Sequence, residues 1–384
     1  MTNNEILEFI LSHDHDDVNR LALQHKLYSQ FNKEEWSFAL QQIEGRQKAK
    51  NKLPAFYQNN AIIYPRRLSM EQCSSESTAQ YKQQLISQQT GSFADLTGGF
   101  GVDTFYLSKL FKTAHYIEQD SDLCAIAEHN FKVLNANIAV HNLSAFDFLS
   151  STDHIDCIYI DPARRNKAGS KVFRIEDCEP NLIELWDLIN SKSTCKMIKL
   201  SPMIDIKEII NSPIAPQQIH IIAVNNECKE IIAICADKQH ETTLTATNLS
   251  SSKTETMSFT LAQEATAVPI FATKIKQYLY EPNTALLKAG AYKLISQIYR
   301  IEKLAPNSHI YTSDILYPDF NGRIWIVEQM PENLSAANVI VRNYPLTAEK
   351  LKKKLHLKDG GNNYIIGTTL GNKHITIFGK RIDL

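Results

Sequence analysis

The sequence predicts an α/β fold: a mainly parallel, doubly wound sheet with an antiparallel edge hairpin, joined to an N-terminal helical domain and a C-terminal α+β domain. Three observations predict it. Between residues 92 and 200, short apolar runs alternate with stretches whose apolar residues recur every three or four positions. The first of those runs ends in a glycine-rich turn, "DLTGGFGVDT", residues 95–104. Beyond about residue 271 the alternation gives way to a different mixture of helices and strands.

In chain order, "EILEFILSH", "DDVNRLALQHKLY" and "KEEWSFALQQIEGRQKAKNKL" have helical spacing, the last with Asn32 as its cap. Pro54 and Pro65 break the pattern, and residues 76–88 resume it behind Ser74 or Ser75. "SFADL", "AHYIE", "IAVHNL", "IDCIYID" and "CKMIKLS" then read as strands. "VDTFYLSKLF", "SDLCAIAEHNFKVLN" and "NLIELWDLINS" read as helices among them. "IHIIAVNNECKEIIAICAD" is two strands about a short polar turn, an antiparallel hairpin at the sheet's edge, and "ETTLTATNL" with "ETMSFTL" is one more hairpin. In the last part "TALLKAGAYKLISQIY" is a helix, "GRIWIVEQM" a strand, "TAEKLKKKLHL" a basic helix and "NNYIIGTTLGNKHITIFGKRI" a closing hairpin. The expected domains are residues 1–72, 73–270 and 271–384.

A chain of 384 residues, 43% hydrophobic and 22% charged, has the composition of a globular protein of two or three domains. Its seven cysteines are scattered without a C-x-x-C, which argues against a disulfide framework and a zinc site and points to the reducing cytoplasm. No apolar run approaches a membrane span and no export signal is recognisable. "HDHDD", residues 13–17, reads as an exposed acidic helix start rather than a metal site. Trp36, Trp186 and Trp325 read as core. The net charge of -1 excludes a global attraction to nucleic acid, but residues 342–384 carry nine cations against three acids. That local excess suits either a phosphate backbone or a solvated lysine-rich helix.

Glycine at the first strand-to-helix turn lets a ligand approach bare backbone and helix-start N–H groups. Counting from Gly99, the dinucleotide fingerprint would require a third glycine where Thr104 stands, and no Gly-Lys-Ser/Thr follows to make a P-loop. What remains is Asp95, then Gly99 and Gly101. This D-L-x-x-G-x-G turn resembles that of the class I methyltransferases that use S-adenosylmethionine, RNA methyltransferases among them, and implies a Rossmann-like domain. The chemistry of that cofactor suits the residues. Asp95 and the backbone from Thr97 to Gly101 would face its amino-acid end, and Glu118, closing the second strand, stands where a doubly wound fold presents an acid to a ribose. Ser144 or Asp147, after the third strand, would contact the adenine amine, as an acid there often does in the relatives. Ser74, Ser75 and Thr78 would cap their helix, bind the methionine carboxylate, or both.

"IDPARR" ends the fourth strand, and Asp161-Pro162-Ala163-Arg164 is similar to the [D/N/S]-P-P-[Y/F/W/R] tetrapeptide of methyltransferases acting on planar nitrogens. That resemblance implies a carboxylate and nearby carbonyls that accept from an exocyclic amine and aim its lone pair. Ala163 and Arg164 depart from the pattern, so the stacking partner would be Phe173 or Tyr159. Arg165 and Lys167 would contact substrate or phosphate. "MIKLSPMID" supplies no cysteine nucleophile, and Cys195 comes too early, which favours attack by nitrogen over pyrimidine carbon. The run from "MEQCSSESTAQYK" through "KLSPM" to "KLKKKLHLKDGGNNYIIGTT" resembles a Bacteroidetes methyltransferase family with a THUMP-like C-terminal domain. The resemblance implies S-adenosylmethionine as cofactor and an RNA-binding C-terminal domain, with no metal and no membrane, and leaves the substrate open. The turn and the "YIDP" strand are also similar to those of guanine-N2 rRNA methyltransferases, which implies rRNA or tRNA as partner and guanine N2 as the favoured target. Two rival readings are a methyltransferase of protein or small molecules and a non-catalytic RNA-binding protein on the same scaffold.

Overall fold

The computed structural model describes residues 4–86, 91–164, 174–236 and 241–383, with the side chain of Arg164 left out. The chain divides into two compact units, Met1–Pro216 with Ile232–Gln239, and Gln217–Ile231 with His240–Leu384.

The first unit opens on helices α1 (Asn4–Ser12), α2 (Val18–Ala22), α3 (Lys33–Lys52), α4 (Pro54–Tyr57), α5 (Arg67–Gln72) and α6 (Glu76–Gln84). Asn32 caps α3 as its position predicts: its side chain accepts from the Glu34 and Glu35 N–H groups while Glu35 reaches back to the Asn32 N–H. The helix expected over "DDVNRLALQHKLY" is shorter, because α2 gives way to a 3₁₀ turn at His25–Tyr28. Leu23 and Leu27 there are 87% and 75% exposed, so no buried face carries the helix onward. Nor is the acidic "HDHDD" wholly exposed. Asp17 caps α2, but Asp14 is buried, accepting from the Tyr57 hydroxyl at 2.7 Å and facing Arg46 at 3.6 Å.

The strands of this unit are β1 (Ser92–Asp95), β2 (Thr113–Glu118), β3 (Ala139–Asn142), β4 (Cys157–Ile160), the two-residue pair β5 (Ala163–Arg164) and β6 (Cys178–Glu179), and β7 (Cys195–Leu200). Helices α7 (Val102–Ser108), α8 (Ser121–Val133), α9 (Ala145–Ser151), α10 (Leu182–Lys192) and α11 (Ile206–Asn211) lie between and after them. Every pairing in the order β7-β4-β1-β2-β3 is parallel. The chain moves from β1 outward through β2 to β3, then returns to place β4 on the other side of β1. The carboxyl ends of β1 and β4 therefore flank the topological switch point, where such sheets open a crevice. Phe100, Phe105, Tyr116 and Phe131 pack with Phe56 and Tyr64 of the preceding segment into one core.

In the second unit β8 (Gln218–Val224) leads into β9 (Glu227–Cys235), which ends in the first unit. The turn is made by Asn225 and Asn226 at φ 49° and 63°, the left-handed pair that a two-residue hairpin demands and asparagine tolerates. The antiparallel edge is built from the other predicted hairpin. There β10 (Thr243–Leu249) runs parallel to β8, and β11 (Thr254–Thr260) closes antiparallel on β10. After α12 (Leu261–Thr266), a second sheet has seven strands in the order β13-β14-β12-β15-β18-β17-β16. They are β12 (Tyr278–Pro282), β13 (Glu302–Ala305), β14 (Ser308–Ser313), β15 (Gly322–Val327), β16 (Asn338–Val341), β17 (Asn363–Leu370) and β18 (Lys373–Ile382), with Leu279, Trp325 and Ile366 in its core. Strands β12, β13, β14 and β16 have no counterpart in the sequence reading, since each is only four to six residues long. The single helix expected at "TALLKAGAYKLISQIY" is two, α13 (Thr284–Ala289) and α14 (Leu294–Tyr299). Gly290, at φ 83°, ends the first in the left-handed cap that glycine adopts without strain. The basic helix α15 (Ala348–Lys354) turns Leu351 into a small core and leaves Lys350, Lys353 and Lys354 exposed. No described helix is long and apolar enough to cross a membrane.

Candidate active site

Asp95 is the last residue of β1 and is 1% exposed. Its carboxylate accepts from the Thr104 hydroxyl at 2.6 Å and from the Thr97 N–H at 3.0 Å. The Thr97 hydroxyl oxygen in turn accepts from the Asp161 N–H at 2.6 Å, so the turn after β1 and the residue after β4 are tied by one side chain. Between them the three glycines have different reasons. A Cβ on Gly98 would meet the Tyr116 ring at 2.1 Å, and one on Gly101, at φ 81°, would meet the Phe131 ring at 2.8 Å. Gly99, at φ 53°, has nothing nearer than a carbonyl at 3.9 Å where its Cβ would stand, so its backbone is the bare one. The Tyr116 hydroxyl donates to the Gly99 carbonyl at 2.6 Å, and the Gly99 N–H donates to Glu118 at 3.0 Å. The other Glu118 oxygen accepts from the N–H groups of Gln119 and Asp120.

Beneath this turn lies a network of charge. Asp103, in the first turn of α7, accepts from the hydroxyls of Ser74 and Tyr159 at 2.6 and 2.7 Å and pairs with Lys82 at 2.9 Å. Lys82, fully buried, also donates to Ser74 at 2.8 Å. Asp161 is paired by Lys199 of β7, whose side chain is 12% exposed. Burial works against the Asp103 carboxylate, but the ammonium groups of Lys82 and Lys199 prevail and hold its carboxyl below the usual range. Asp95 differs. It is held by neutral donors, and among the described residues no lysine or arginine pairs with it. Burial pushes its carboxyl up to about 7 despite the hydrogen bonds from Thr104 and Thr97.

Six of the sequence-predicted residues thus converge: Asp95, Thr97, Gly99, Gly101, Glu118 and Asp161. Pro162 is buried behind Asp161, and Ala163 is exposed in β5. Ser144 caps α9 beyond β3, donating to the Asp147 carboxylate at 2.6 Å while accepting from the Asp147 N–H, so the two form one reciprocal unit. Ser75 caps α6 through the Thr78 N–H, and the Thr78 hydroxyl donates back to the Ser75 carbonyl. Tyr159, named as a stacking alternative, is 1% exposed and turned onto Asp103, away from any stacking role. Arg165, Lys167, Phe173 and the Arg164 side chain lie outside the described residues. Sequence reasoning missed Lys82, Asp103, Thr104, Tyr116 and Lys199. The signal available was charge inside otherwise apolar elements, such as Lys199, the second lysine of "CKMIKL".

A ferredoxin-like domain family matches residues 278–320, and a THUMP domain-like family matches residues 328–381. A solved structure of a candidate methyltransferase from Porphyromonas gingivalis W83 is 30% identical, covers 99% of this chain and 98% of its own, and superposes with a TM-score of 0.86. A candidate RNA methyltransferase from Pyrococcus horikoshii is 13% identical over 49% of this chain and 98% of its own, TM-score 0.35. The M. capricolum TrmK protein, solved with S-adenosylhomocysteine, is 13% identical over 41% of this chain and 68% of its own, TM-score 0.33. Comparison with curated proteins finds no match.

The buried Asp95 gives stability a pH dependence of known sign. Its carboxyl titrates near 3.8 when unfolded and at about 7 when folded. Its cost to the ligand-free fold is therefore absent below pH 4, grows as pH rises and is complete above about 7. That cost is on the order of 4 kcal/mol. Asp95→Asn keeps acceptor and donor capacity toward Thr97 and Thr104 without the charge. Thermal melts should show wild type and variant close together at pH 4 and the variant the more stable at pH 8. Parallel melting curves across that range would contradict the assignment.

Proposed function

The chain belongs to the family of the Porphyromonas gingivalis protein, a class I methyltransferase fold with a THUMP-like C-terminal part, and from that premise we propose that it methylates an exocyclic base amine in RNA with S-adenosylmethionine, guanine N2 of rRNA or tRNA being the favoured target. The observation that carries this reading is the convergence of Asp95, Gly99, Glu118 and Asp161 on the switch point of the sheet. The residues fit the cofactor: open space over the Gly99 backbone for close approach, a buried carboxylate without a described cation, and an acid closing β2. Bound there, S-adenosylmethionine would supply an electrophilic methyl group on a sulfonium centre.

Asp95, with the Thr97 and Gly99 backbone, would hold the amino-acid end, whose ammonium supplies the counter-charge that Asp95 lacks. Glu118 would exchange backbone N–H partners for the ribose hydroxyls. Ser144 or Asp147 would reach the adenine amine, and Ser75 or Thr78 the methionine carboxylate. Asp161 would accept from the substrate amine and aim its lone pair at the methyl carbon, a task of positioning more than of proton removal. Pro162 and Ala163 would shape the wall beside it, with Arg164, Arg165, Lys167 and Phe173 on the substrate side. Residues 271–384 would serve as the RNA-binding domain, beside a helical domain at 1–72 and a methyltransferase domain at 73–270. The THUMP-like match and the lysines of α15 support that role, and seven free cysteines suit a cytoplasmic enzyme.

Two experiments test the reading. Purified protein, S-adenosylmethionine labelled in its methyl group and RNA from a strain lacking the protein should yield N2-methylguanine on nucleoside analysis. Asp161→Ala should lower the rate by about 100-fold or more. Label recovered only in protein or in small molecules would sink the RNA reading. Replacing Lys350, Lys353 and Lys354 together by glutamate should weaken binding to the same RNA and flatten its dependence on salt by about one log-log unit per lost phosphate contact. Unchanged binding would remove α15 from the interface.

A further inference from the structure

The Asp161–Lys199 pair stands at the centre of the proposed chemistry, and nothing in the sequence motif accounts for the lysine. Asp161 is held at both ends. Its N–H donates to the Thr97 hydroxyl oxygen at 2.6 Å, tying its backbone to the glycine turn. Its Oδ2 takes the Lys199 ammonium, which reaches across from the neighbouring parallel strand. The side chains of Asp161 and Lys199 are 33% and 12% exposed, so the carboxylate meets the crevice while the lysine is largely enclosed. A free aspartate turns about its Cβ–Cγ bond and offers two equivalent oxygens. With Oδ2 engaged, only Oδ1 is left for an incoming amine, and its direction is fixed by β4 and β7.

The charges around the pair matter as much as its geometry. Among the described residues, the ionisable groups acting on the pair are Asp103, neutralised by Lys82, Cys73, whose thiol burial pushes up and keeps neutral, and Asp95, whose counter-charge the cofactor's ammonium would bring. Asp161 and Lys199 neutralise each other. The substrate position therefore offers a cationic amine no net counter-charge against the cost of leaving water. A neutral planar amine pays no such penalty and needs only an acceptor.

Resting on the methyltransferase reading above, we infer that Lys199 is a positioning and charge-selecting residue: it clamps Asp161 so that one oxygen aims a neutral planar amine at the methyl carbon, and it denies the site to lysine and arginine side chains. In the step it serves, the amine lone pair forms the N–C bond as the C–S bond breaks. The bonding pair stays on sulfur, which becomes a thioether, and the amine gives up one proton to Asp161 or water.

The test compares full-length wild type with Lys199→Met and Lys199→Arg. Melting temperature and calorimetric affinity for S-adenosylhomocysteine serve as controls for fold and cofactor site, and methyl transfer is followed to RNA and to the protein fraction of a strain lacking the protein. The methionine variant should keep both controls within about twofold in affinity and a few degrees in melting. Its kcat on RNA should fall at least tenfold with KM little changed, and arginine, which restores a donor to Asp161, should recover much of the loss. Wild-type label should sit on a base amine. Equal kcat in all three proteins would overturn the role of Lys199 while leaving the enzyme assignment standing. So would a methionine variant whose loss of activity merely follows loss of fold or cofactor affinity. Wild-type label on lysine or arginine side chains would overturn the charge selection. No transfer by wild type to either fraction would overturn the methyltransferase reading and this inference with it.

Discussion

Three carboxylates, Asp95, Asp103 and Asp161, are gathered under one end of a parallel sheet, and much of the local architecture answers the cost of putting them there. An ionised carboxylate taken out of water costs several kcal/mol unless a cation and hydrogen bonds replace the solvent. Asp103 receives both, from Lys82, Ser74 and Tyr159, each delivered by a different element. Asp161 receives Lys199 from β7. Asp95 receives neutral donors from Thr104 and Thr97 and, among the described residues, no cation, so burial pushes its carboxyl up to about 7. A fold selected for stability alone would not leave that carboxylate without a cation among the described residues. A fold that expects a cationic ligand at this position would.

The same residues give the site its connectivity. Thr97 touches Asp95 through its N–H and Asp161 through its hydroxyl oxygen. Tyr116 supports the Gly99 carbonyl from below, its ring lying where a Cβ on Gly98 would stand. Displacing any of these moves the glycine turn relative to the Asp161 carboxylate, and on the proposed reading a misplacement of about 1 Å is enough to cost much of the rate. The glycine turn is accordingly a rigid seat, braced on one side by β2 and on the other by β4.

The five parallel strands of the first unit and their order along the chain were legible because each is a short apolar run closed by a polar residue, and Asp95, Glu118 and Asp161 stand at or just past those closings. The glycine turn was legible for the same reason, although sequence could not distinguish Gly99, which faces open space, from Gly98, which is small for the sake of Tyr116. The charged network was not legible, since its members come from segments far apart in sequence with no shared period. Its parts were nonetheless inside the quoted motifs: Lys82 ends "STAQYK", Asp103 ends "GVD" and Lys199 opens "KLSPM". Each motif donates one charge to a cluster that exists only once the sheet has formed. The second unit was read least well, because its short strands carry little periodicity and Gly290 splits what looks like one helix.

The most direct measurement is a calorimetric titration of S-adenosylhomocysteine into the wild-type protein and into Asp95→Ala. Micromolar binding by wild type, lost in the variant, is what a seat built from Asp95 and the bare Gly99 backbone predicts. Absence of binding to the wild type would contradict the cofactor assignment and leave a methyltransferase scaffold put to another use.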